Sequence, residues 1–309
     1  MKPRISVIVV ADYGGSGPKN WAEERTALEA FAAQDLAEPF QIILVDHERN
    51  RAECPSDLTR IAPHTMVLFT PHARASDLKN AAFAFCDGAL VALVDADCVP
   101  APDWLRRLVA ILDTVPDVDA VSGRTTYGQS TSLRRVLALL DRAWMDTGRA
   151  GPVGHISNNG ALYRHELLAQ FPYPDVENAF LVPRVRDRAM FASGARAYFE
   201  PRATMVHTFH GLGFAIDVRR NLAFADGYQY RPAGGARTTP TLVWRTLAAL
   251  TRDRFATEWR DCLRVGRHYL RWYDWPLALG MLVVLRLFEA PAALAALRGA
   301  PRLAHTSFR

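Results

Sequence analysis

The sequence predicts an α/β fold with a mixed, mainly parallel central sheet, followed by a helical C-terminal appendage. The first third of the 309 residues alternates short apolar segments with amphipathic ones, which is typical of successive βαβ units. The apolar segments are nearly continuous and rich in valine and isoleucine, as expected of parallel strands that are buried on both faces. From about residue 240 onward the pattern becomes helical.

The elements are predicted in chain order from these periodicities. Strands are predicted at 5–10, 40–46, 65–70 and 89–95, and helices at 21–34, 76–86 and 101–115. Ser76 is the predicted N-cap of the second helix, because a serine hydroxyl accepts a hydrogen bond from the first turn. The middle is mixed, with a strand at 119–127, a helix at 132–148, a polar loop, short strand and helix over 156–171, and two short strands around Pro201 over 195–207.

The C-terminal region predicts helices with unusual surfaces. Within 256–275, an apolar stripe that contains tryptophan and tyrosine runs beside a stripe of arginines. The arginines are Arg260, Arg264, Arg267 and Arg271. This pattern fits a helix on an anionic membrane surface, and it equally fits a packed surface helix with a solvated basic face. Residues 275–297 are long and apolar but are interrupted by Arg286, Glu289 and Pro291. They predict an interfacial or re-entrant segment or a buried helix pair, rather than a spanning helix.

Composition excludes several classes of protein. Half of the residues are hydrophobic, 22% are charged and the net charge is +5, which is an ordinary globular balance. With no nucleic-acid-binding motif in the sequence, we expect no nucleic-acid partner. The four cysteines show no zinc-like spacing and indicate a reduced compartment, hence the cytoplasm. The N-terminal apolar run is short and is not followed by a cleavage site, so no signal peptide is predicted.

The stretch "LVALVDADCVP" carries the strongest chemical signal. Asp95 and Asp97 follow a buried strand, and Pro100 and Pro102 prevent that strand from continuing. Two close carboxylates raise each other's pKa unless a positive group lies between them, and a hard divalent cation such as Mg²⁺ or Mn²⁺ suits that position. Ligands of parallel sheets bind at the carboxyl ends of the strands. Three further polar residues follow the neighbouring predicted strands at the same edge, namely Asp12, Tyr13 and Asp46.

The order of these motifs is similar to that in the family-2 glycosyltransferases, which have the Rossmann-like glycosyltransferase-A fold. The segments that carry the resemblance are "ISVIVVADYGG", "ALEAFAAQDLAEPFQIILVDHE" and "SDLKNAAFAFCDGALVALVDADCVPAPDWL". They include Gln34 at a helix end, Asp46 at a strand end, Lys79 with Asn80, and the Asp-x-Asp motif. Two later segments, "SNNGALYRHELL" and "GARAYFEPRATMVH", resemble the family's segment beneath the donor and acceptor sugars and its closing strands. The resemblance covers about two thirds of the chain.

The resemblance implies transfer of a sugar from a nucleotide-diphospho-sugar donor to a glycan or lipid-linked acceptor, with inversion at the anomeric carbon and with the help of a divalent cation. Asp97 would hold the cation, with Asp95 near the ribose or the ion, and Asp46 would accept a hydrogen bond from the base. The nucleotide pocket would be lined by Ala11, Asp12 and Tyr13.

Two further residues are each open to two interpretations, and a third is a weaker candidate. Lys79 either approaches the phosphates or is a surface lysine. His207 is either a further metal ligand or a packed or solvated histidine. His210 is a weaker candidate for the same metal-binding role.

The sequence departs from the family where the catalytic base is expected. The resemblance places an acidic pair near "LVPRV" (181–185), about ten residues before Gly194, but that segment contains no acid. Glu177 and Asp187 are the candidate bases from a shifted loop. Three functions therefore remain open: a metal-dependent glycosyltransferase, a non-catalytic sugar-nucleotide-binding or scaffold relative in a glycan-assembly complex, and a sugar-nucleotidyltransferase that uses the turn "YGGSGPK" (13–19).

The predicted domains are a catalytic domain at 1–215 and a helical region at 216–309. The catalytic domain is expected to contain a nucleotide-binding half at about 1–115 and an acceptor half at about 116–215. The helical region is expected to make peripheral contact with the inner face of the cell membrane.

Overall fold

The computed structural model describes residues 2–11, 20–72, 74–176, 178–229 and 239–300, which form two compact units. The first unit comprises Met1–Thr126 and Met145–Thr208. The second comprises Tyr127–Trp144 and the described residues from Phe209 onward. Residues 127–144, which the sequence prediction includes in the acceptor half, therefore lie in the second unit.

The first unit is built on one mixed sheet. Its strands, within the described residues, are β1 (Ile5–Val10), β2 (Phe40–His47), β3 (Thr65–Thr70), β4 (Leu90–Asp95), β5 (Cys98–Pro100), β6 (Ala120–Thr126), β7 (Gly151–Val153), β8 (Ala161–Arg164) and β9 (Ala197–His207). Their order is β3-β2-β1-β4-β8-β6-β9-β5, and β7 pairs with β9. Strands β3, β2, β1 and β4 are parallel to one another, and β8 joins β4 and β6 in antiparallel fashion. The predicted α/β class with a mixed sheet is confirmed.

The helices are distributed between the two units. In chain order they are α1 (Ala22–Ala32), α2 (Leu58–Ile61), α3 (Ala75–Phe83), α4 (Trp104–Thr114), α5 (Ser132–Arg142), α6 (His165–Gln170), α7 (Val182–Ala192), α8 (Leu212–Gln229), α9 (Pro240–Ala248), α10 (Arg254–Val265) and α11 (Trp275–Leu297). Helix α5 and helices α8 to α11 belong to the second unit.

Both faces of the sheet are covered, as nearly continuous apolar strands require. On one face, Phe31 of α1 and Trp104 of α4 pack edge to face at 6.3 Å within a core that includes Val7 and Leu44. On the other face, α3 and α7 contribute to a second core. Alternate residues of β1 enter opposite cores, because side chains alternate along a strand.

Several predicted boundaries need correction. The first four predicted strands agree with the structure to within one residue. Ser76 is not the N-cap, because α3 begins at Ala75 after Arg74 and has no side-chain cap. The helix predicted at 132–148 ends at Arg142, and the arginine-rich helix ends at Val265, before Arg267 and Arg271. Residues 275–297 form one continuous helix through Pro291, so the predicted helix pair is wrong.

The segment predicted as two short strands is one strand, β9, with an irregularity at Pro201. Its pairing with β6 jumps from Gly123–Glu200 to Arg124–Thr204. Three residues therefore bulge out, which suits a proline that cannot donate to the ladder. Gly123 lies opposite the bulge, where a Cβ atom would be 1.9 Å from the carbonyl oxygen of Ala203. Only glycine fits at this close approach.

The second unit has its own cores among its described helices. One core joins α5, α10 and α11 through residues such as Leu139, Cys262 and Leu282, and a smaller one joins α8 to α11. The start of α11 is held to α5 by an ion pair in which Arg135 Nε lies 2.8 Å from Asp274 Oδ2. The hydrogen bond from Arg135 keeps the pKa of Asp274 below its ordinary value.

Candidate active site

The parallel strands bring three of the predicted residues to one edge of the sheet. Val10 of β1 pairs with both Val45 of β2 and Asp95 of β4. The Ala11 N–H donates to the Val45 carbonyl at 2.9 Å, and Ala96 N–H donates to the Val10 carbonyl at 2.8 Å. Ala11, Asp46 and Asp95 therefore end neighbouring strands at a common edge, which is where ligands of such sheets bind.

After Asp95 the chain turns and then pairs with a distant strand. Strand β5 runs antiparallel to β9, and Cys98 lies opposite His207. The Thr208 N–H donates to the Asp97 carbonyl at 2.7 Å. This pairing brings His207 Nε2 to 3.4 Å from Asp97 Oδ2. Asp97 and His207, two of the predicted metal ligands, are thus in contact.

The orientation of the His207 ring indicates that a positive group belongs between His207 and Asp97. Its Nδ1 atom is 2.8 Å from the Thr208 carbonyl, and a carbonyl only accepts, so Nδ1 carries a proton. In the neutral ring, Nε2 is then an acceptor that faces a carboxylate oxygen. Two acceptors at this distance require a positive group between them, which is either a second ring proton or a cation. Metal-ligating histidines typically donate their other ring N–H to a carbonyl in this way.

The donor set fits a hard divalent cation. Asp97, Cys98 and His207 place three ligand atoms within 4.8 Å of one another. The Cys98 thiol is 3.5 Å from Asp97 Oδ1 and donates to it, so Cys98 orients the carboxylate. One carboxylate and one imidazole, with positions left for phosphate oxygens, match the needs of Mn²⁺ or Mg²⁺.

Lys79 and Asp95 form a buried ion pair beside Asp97. Lys79 is 2% exposed, and its Nζ lies 3.0 Å from Asp95 Oδ1. Burial alone would lower the pKa of Lys79, but Asp95 and Tyr173 together raise that pKa above its ordinary value. Burial also raises the pKa of Asp95; Lys79 opposes this effect and Asp97 adds to it. The interpretation of Lys79 as a surface lysine is wrong.

The loop at residues 157–160, here called the SNNG loop, holds this arrangement together. Asn159 Oδ1 accepts from the Asp95 N–H at 2.8 Å, and Asn159 Nδ2 donates to Cys98 Sγ at 3.1 Å. The Asn158 carbonyl accepts from Lys79 Nζ at 3.0 Å. Gly160 has a φ of +82°, and a Cβ atom added to it would lie 3.1 Å from the Met205 sulfur. The loop therefore needs glycine at this position.

Sequence reasoning did not single out Asn158, Asn159 or Cys98 as site residues. The double asparagine before a glycine was the available signal, because asparagine side chains commonly bond to nearby backbone groups and so fix loops. Cys98 was treated only as one of four scattered cysteines. Its role follows from the pairing of β5 with β9.

Asp46 is fully buried at the end of β2. Its Oδ1 atom accepts from the His47 N–H at 2.6 Å and from Asn50 Nδ2 at 2.9 Å. The following 3₁₀ helix, Glu48–Glu53, is thereby tied to the strand end. The predicted contact of Asp46 with a nucleotide base stays a prediction.

Asp187 lies on α7, whose start replaces the acidic pair that the resemblance leads one to expect. Val182 begins the helix and is fully buried, and Pro183 follows it. Asp187 is one turn further along, so it shares a helix face with Pro183. Its carboxylate accepts a hydrogen bond from the Ile156 N–H, next to the SNNG loop. Burial raises the pKa of Asp187 to about 6, against the opposing effect of Arg186.

Arg186 lies beneath this region and was not predicted from the sequence. Its guanidinium is 4.2 Å from the centre of the Tyr173 ring and 5.0 Å from that of Tyr163. Its Nε donates to the Phe171 carbonyl at 3.0 Å. Stacking on two tyrosines makes burial of this charge tolerable and fixes α7 against the sheet.

The remaining predicted site residues fall into two groups. Asp12, Tyr13 and Glu177, together with the turn at 13–19, lie outside the described residues. His210 is exposed in the second unit, where its ring packs against Phe214 at 4.9 Å. The three-residue metal cluster described above does not include it.

The chain is similar in sequence and fold to known glycosyltransferases. Residues 21–171 match the family described as glycosyl transferase family 2. A mannosyltransferase from Pyrobaculum calidifontis, solved with GDP-Man and Mn²⁺, has 20% identity and a TM-score of 0.56, with 96% of this chain and 88% of that chain covered. S. aureus TarS 1-349, solved with UDP-GlcNAc, has 13% identity and a TM-score of 0.51, with 96% and 90% covered. No curated protein sequence matches the chain.

Proposed function

The chain carries a glycosyl transferase family 2 domain over residues 21–171, and on this basis we propose that it transfers a hexose from a nucleotide-diphospho-sugar with the help of a divalent cation. The proposed acceptor is a glycan or a lipid-linked glycan. The proposed location is the cytoplasm, which the four cysteines support because none of them forms a disulfide. The similar structures contain GDP-Man and UDP-GlcNAc, so more than one donor base needs testing.

The contact between Asp97 and His207 carries this proposal. His207 Nε2 lies 3.4 Å from Asp97 Oδ2, next to the paired Lys79 and Asp95. When bound by Asp97 and His207, a cation would neutralise the charge that develops on the diphosphate leaving group. Lys79 holds Asp95 in place and limits the repulsion between the two aspartates. Cys98 and Asn159 fix the turn on which Asp97 lies.

Asp187 is the proposed general base. In an inverting transfer, the acceptor oxygen forms a bond to the anomeric carbon from the side opposite the diphosphate. The bond from that carbon to the diphosphate oxygen breaks, and its electron pair leaves with the diphosphate. The hydroxyl proton goes to the base. A carboxylate with a pKa of about 6 is ionised at neutral pH and is still basic enough to accept this proton.

Calorimetric titration with UDP, GDP and dTDP, each with and without Mn²⁺, tests the proposed donor and cation. We expect one nucleotide to bind, with an affinity that falls about 100-fold or more when Mn²⁺ is removed. Equal binding with and without Mn²⁺ would contradict the metal site. No binding of any nucleotide would contradict donor binding.

A second candidate function is sugar-nucleotide binding without transfer. The replacement of the expected acidic pair by Val182 and Pro183 at the start of α7 favours it. The two functions differ in turnover, which is measured as release of nucleoside diphosphate from the donor that binds. Asp187→Asn should reduce turnover by about 100-fold or more if Asp187 is the base. Donor binding with no turnover in the unmodified protein would favour the non-catalytic function.

A further inference from the structure

Helix α11 is apolar on both sides, whereas an ordinary surface helix has a polar side toward solvent. The side facing away from its own unit, here called the outer face, is apolar along about three turns, whereas Arg286 and Glu289 point inward and are buried. Leu287 is 69% exposed. The large side chains of the outer face recur at helical spacing; they are Leu277, Leu279, Val283, Val284, Leu287 and Phe288.

The inward charges explain why this face cannot turn toward the core of the unit. Arg286 Nη2 lies 2.7 Å from Glu258 Oε2, and Glu289 Oε1 lies 2.6 Å from Arg219 Nε. Rotation of α11 would break both pairs and leave charges buried without partners, which is costly. The outer face is therefore held outward by the ion pairs behind it.

Crossing a membrane is a poorer use of this helix than lying on one. By length and composition, Trp272–Leu297 is the one helix among the described residues that is long and apolar enough to span a bilayer. A spanning helix must meet lipid or other helices on every side. Here one side is occupied by α8 and the Arg–Glu pairs, and only the outer face is free for lipid. The large apolar side chains from Leu277 to Phe288 extend over about 16 Å.

The exposed charges of residues 239–300 favour an anionic occupant of the outer face. Within 239–300, seven arginines are exposed against one exposed acid, Asp253. Three of the arginines, Arg260, Arg264 and Arg267, follow one another on the segment that leads into α11. Trp272, at the start of the helix, is 84% exposed, and Trp244 is 73% exposed. Exposed tryptophans beside arginines are typical of segments at a lipid headgroup layer.

We propose that the second unit docks on a lipid bilayer that contains anionic headgroups, with the outer face of α11 immersed among the acyl chains and Trp272 at headgroup level. The arginines would contact the headgroup phosphates. A second copy of the chain is a poorer occupant, because pairing two such surfaces would bring exposed arginines of like charge together. The proposal does not depend on sugar transfer, so a failure of the proposed reaction leaves it standing.

Vesicle flotation of the full-length protein tests the proposal. Vesicles of phosphatidylcholine alone are compared with vesicles that also contain phosphatidylglycerol, at about 0.1 M and about 0.5 M NaCl. We expect binding to the anionic vesicles, reduced by about tenfold or more at the higher salt or when phosphatidylglycerol is omitted. Leu287→Glu should reduce that binding by about tenfold or more, because it removes an exposed leucine from the bilayer and adds a charge.

The matched control is Phe85→Glu, which places the same charge on an exposed apolar position of the first unit, 49% exposed, and should leave vesicle binding unchanged. Light scattering of all three proteins reports their oligomeric state, and circular dichroism their folding. Absence of binding to anionic vesicles would overturn the proposal. So would a dimer that Leu287→Glu dissociates without vesicle binding in the parent, since the outer face would then be a self-association surface.

Discussion

Each unit buries a cluster of charged side chains, and the two clusters differ in charge balance. In the second unit, three guanidiniums meet three carboxylates, so the cluster is neutral; its members are Arg219, Arg254, Arg286, Asp226, Glu258 and Glu289. In the first unit, Asp95 and Asp97 meet one lysine and one histidine. With the histidine neutral, that group carries one net negative charge.

The comparison separates a structural use of buried charge from a functional one. A neutral cluster with close pairs satisfies its own charges, and its removal would be felt in stability. A group with an excess carboxylate is incomplete until a cation joins it, because burial of a net charge is costly. Perturbing the two clusters should therefore affect different measurements. The predictions below test this distinction, from the largest expected effect to the smallest.

Asp97→Asn should remove the cation site while preserving the shape of the turn. We expect the affinity for the nucleotide that binds with Mn²⁺ to fall by about 1000-fold, about 4 kcal/mol, because a metal–phosphate contact contributes several kcal/mol. Calorimetry in the presence of Mn²⁺ measures this loss. Asp113→Asn is the control, since Asp113 is a half-exposed acid of the same unit that pairs with Arg4. If the two variants bound the nucleotide with equal affinity in the presence of Mn²⁺, the proposal that Asp97 holds a cation would be wrong.

Glu258→Ala should instead reduce stability. Glu258 accepts hydrogen bonds from Arg219, Arg254 and Arg286, so its removal leaves buried guanidiniums without their shared partner. We expect the free energy of unfolding to fall by about 3 kcal/mol, measured by urea denaturation. Nucleotide affinity of the folded variant should not change.

The control for this variant is Glu48→Ala. Glu48 pairs with Arg51 at 2.6 Å on the surface of the first unit, and exposed pairs of this kind contribute little to stability. If the two variants were equally stable, the neutral cluster would not be the structural support that its geometry indicates.

Asp187→Asn separates a functional carboxylate from a structural one by its pH dependence. The folded-state pKa of about 6 lies above the ordinary value of 3.8, so between these values the folded protein binds more protons than the unfolded chain. Stability therefore falls as pH rises through this window, and the cost is complete above about pH 6. The variant should gain about 2 kcal/mol at about pH 8, after allowance for partial exposure, and nothing near pH 4.

Urea denaturation at both pH values measures this difference, and turnover should fall in the same variant. A purely structural Asp187 would show the opposite stability change, because loss of its bond to the Ile156 N–H would then dominate. Asp77→Asn, at an acid that pairs with Arg74 at 2.7 Å on a different helix, provides a matched acid-to-amide change outside α7.

The sequence predicts local features of the fold well and distant pairings poorly. Strands β1 to β4 are each recognisable from an apolar run, because the signal of such a strand is contained within six to eight consecutive residues. The pairing of Cys98 with His207 joins residues far apart in the chain, and no local pattern encodes it. Continuity of β9 through Pro201 depends on the bulge opposite Gly123, which is equally non-local.

The same limit applies to the candidate site. Asp95 and Asp97 are visible in the sequence because two acids at the end of an apolar strand are unusual. Lys79 lies on a helix, where a lysine ordinarily faces water, and its burial becomes explicable only when Asp95 is seen 3.0 Å away. Asn159 serves the site through one backbone N–H and one sulfur. Such contacts depend on the fold rather than on any residue pattern.

Asn159→Ala is the smallest of the expected effects and gives the most specific test of the comparison. The amide bridges the two ends of the turn that carries Asp97, through the Asp95 N–H and Cys98 Sγ, without contributing a ligand atom. Groups of this kind typically change metal affinity by about tenfold to 100-fold. We expect the variant to need about tenfold more Mn²⁺ for half-maximal nucleotide binding, and we expect no change in binding measured without metal.

Asn178→Ala is the control for loss of a loop amide, because Asn178 accepts a hydrogen bond from the Phe180 N–H in the same unit. If Asn159→Ala lowered stability but left the Mn²⁺ dependence unchanged, the SNNG loop would support only the fold. The buried charges around Asp95 and Asp97 would then have a structural role, like the neutral cluster of the second unit.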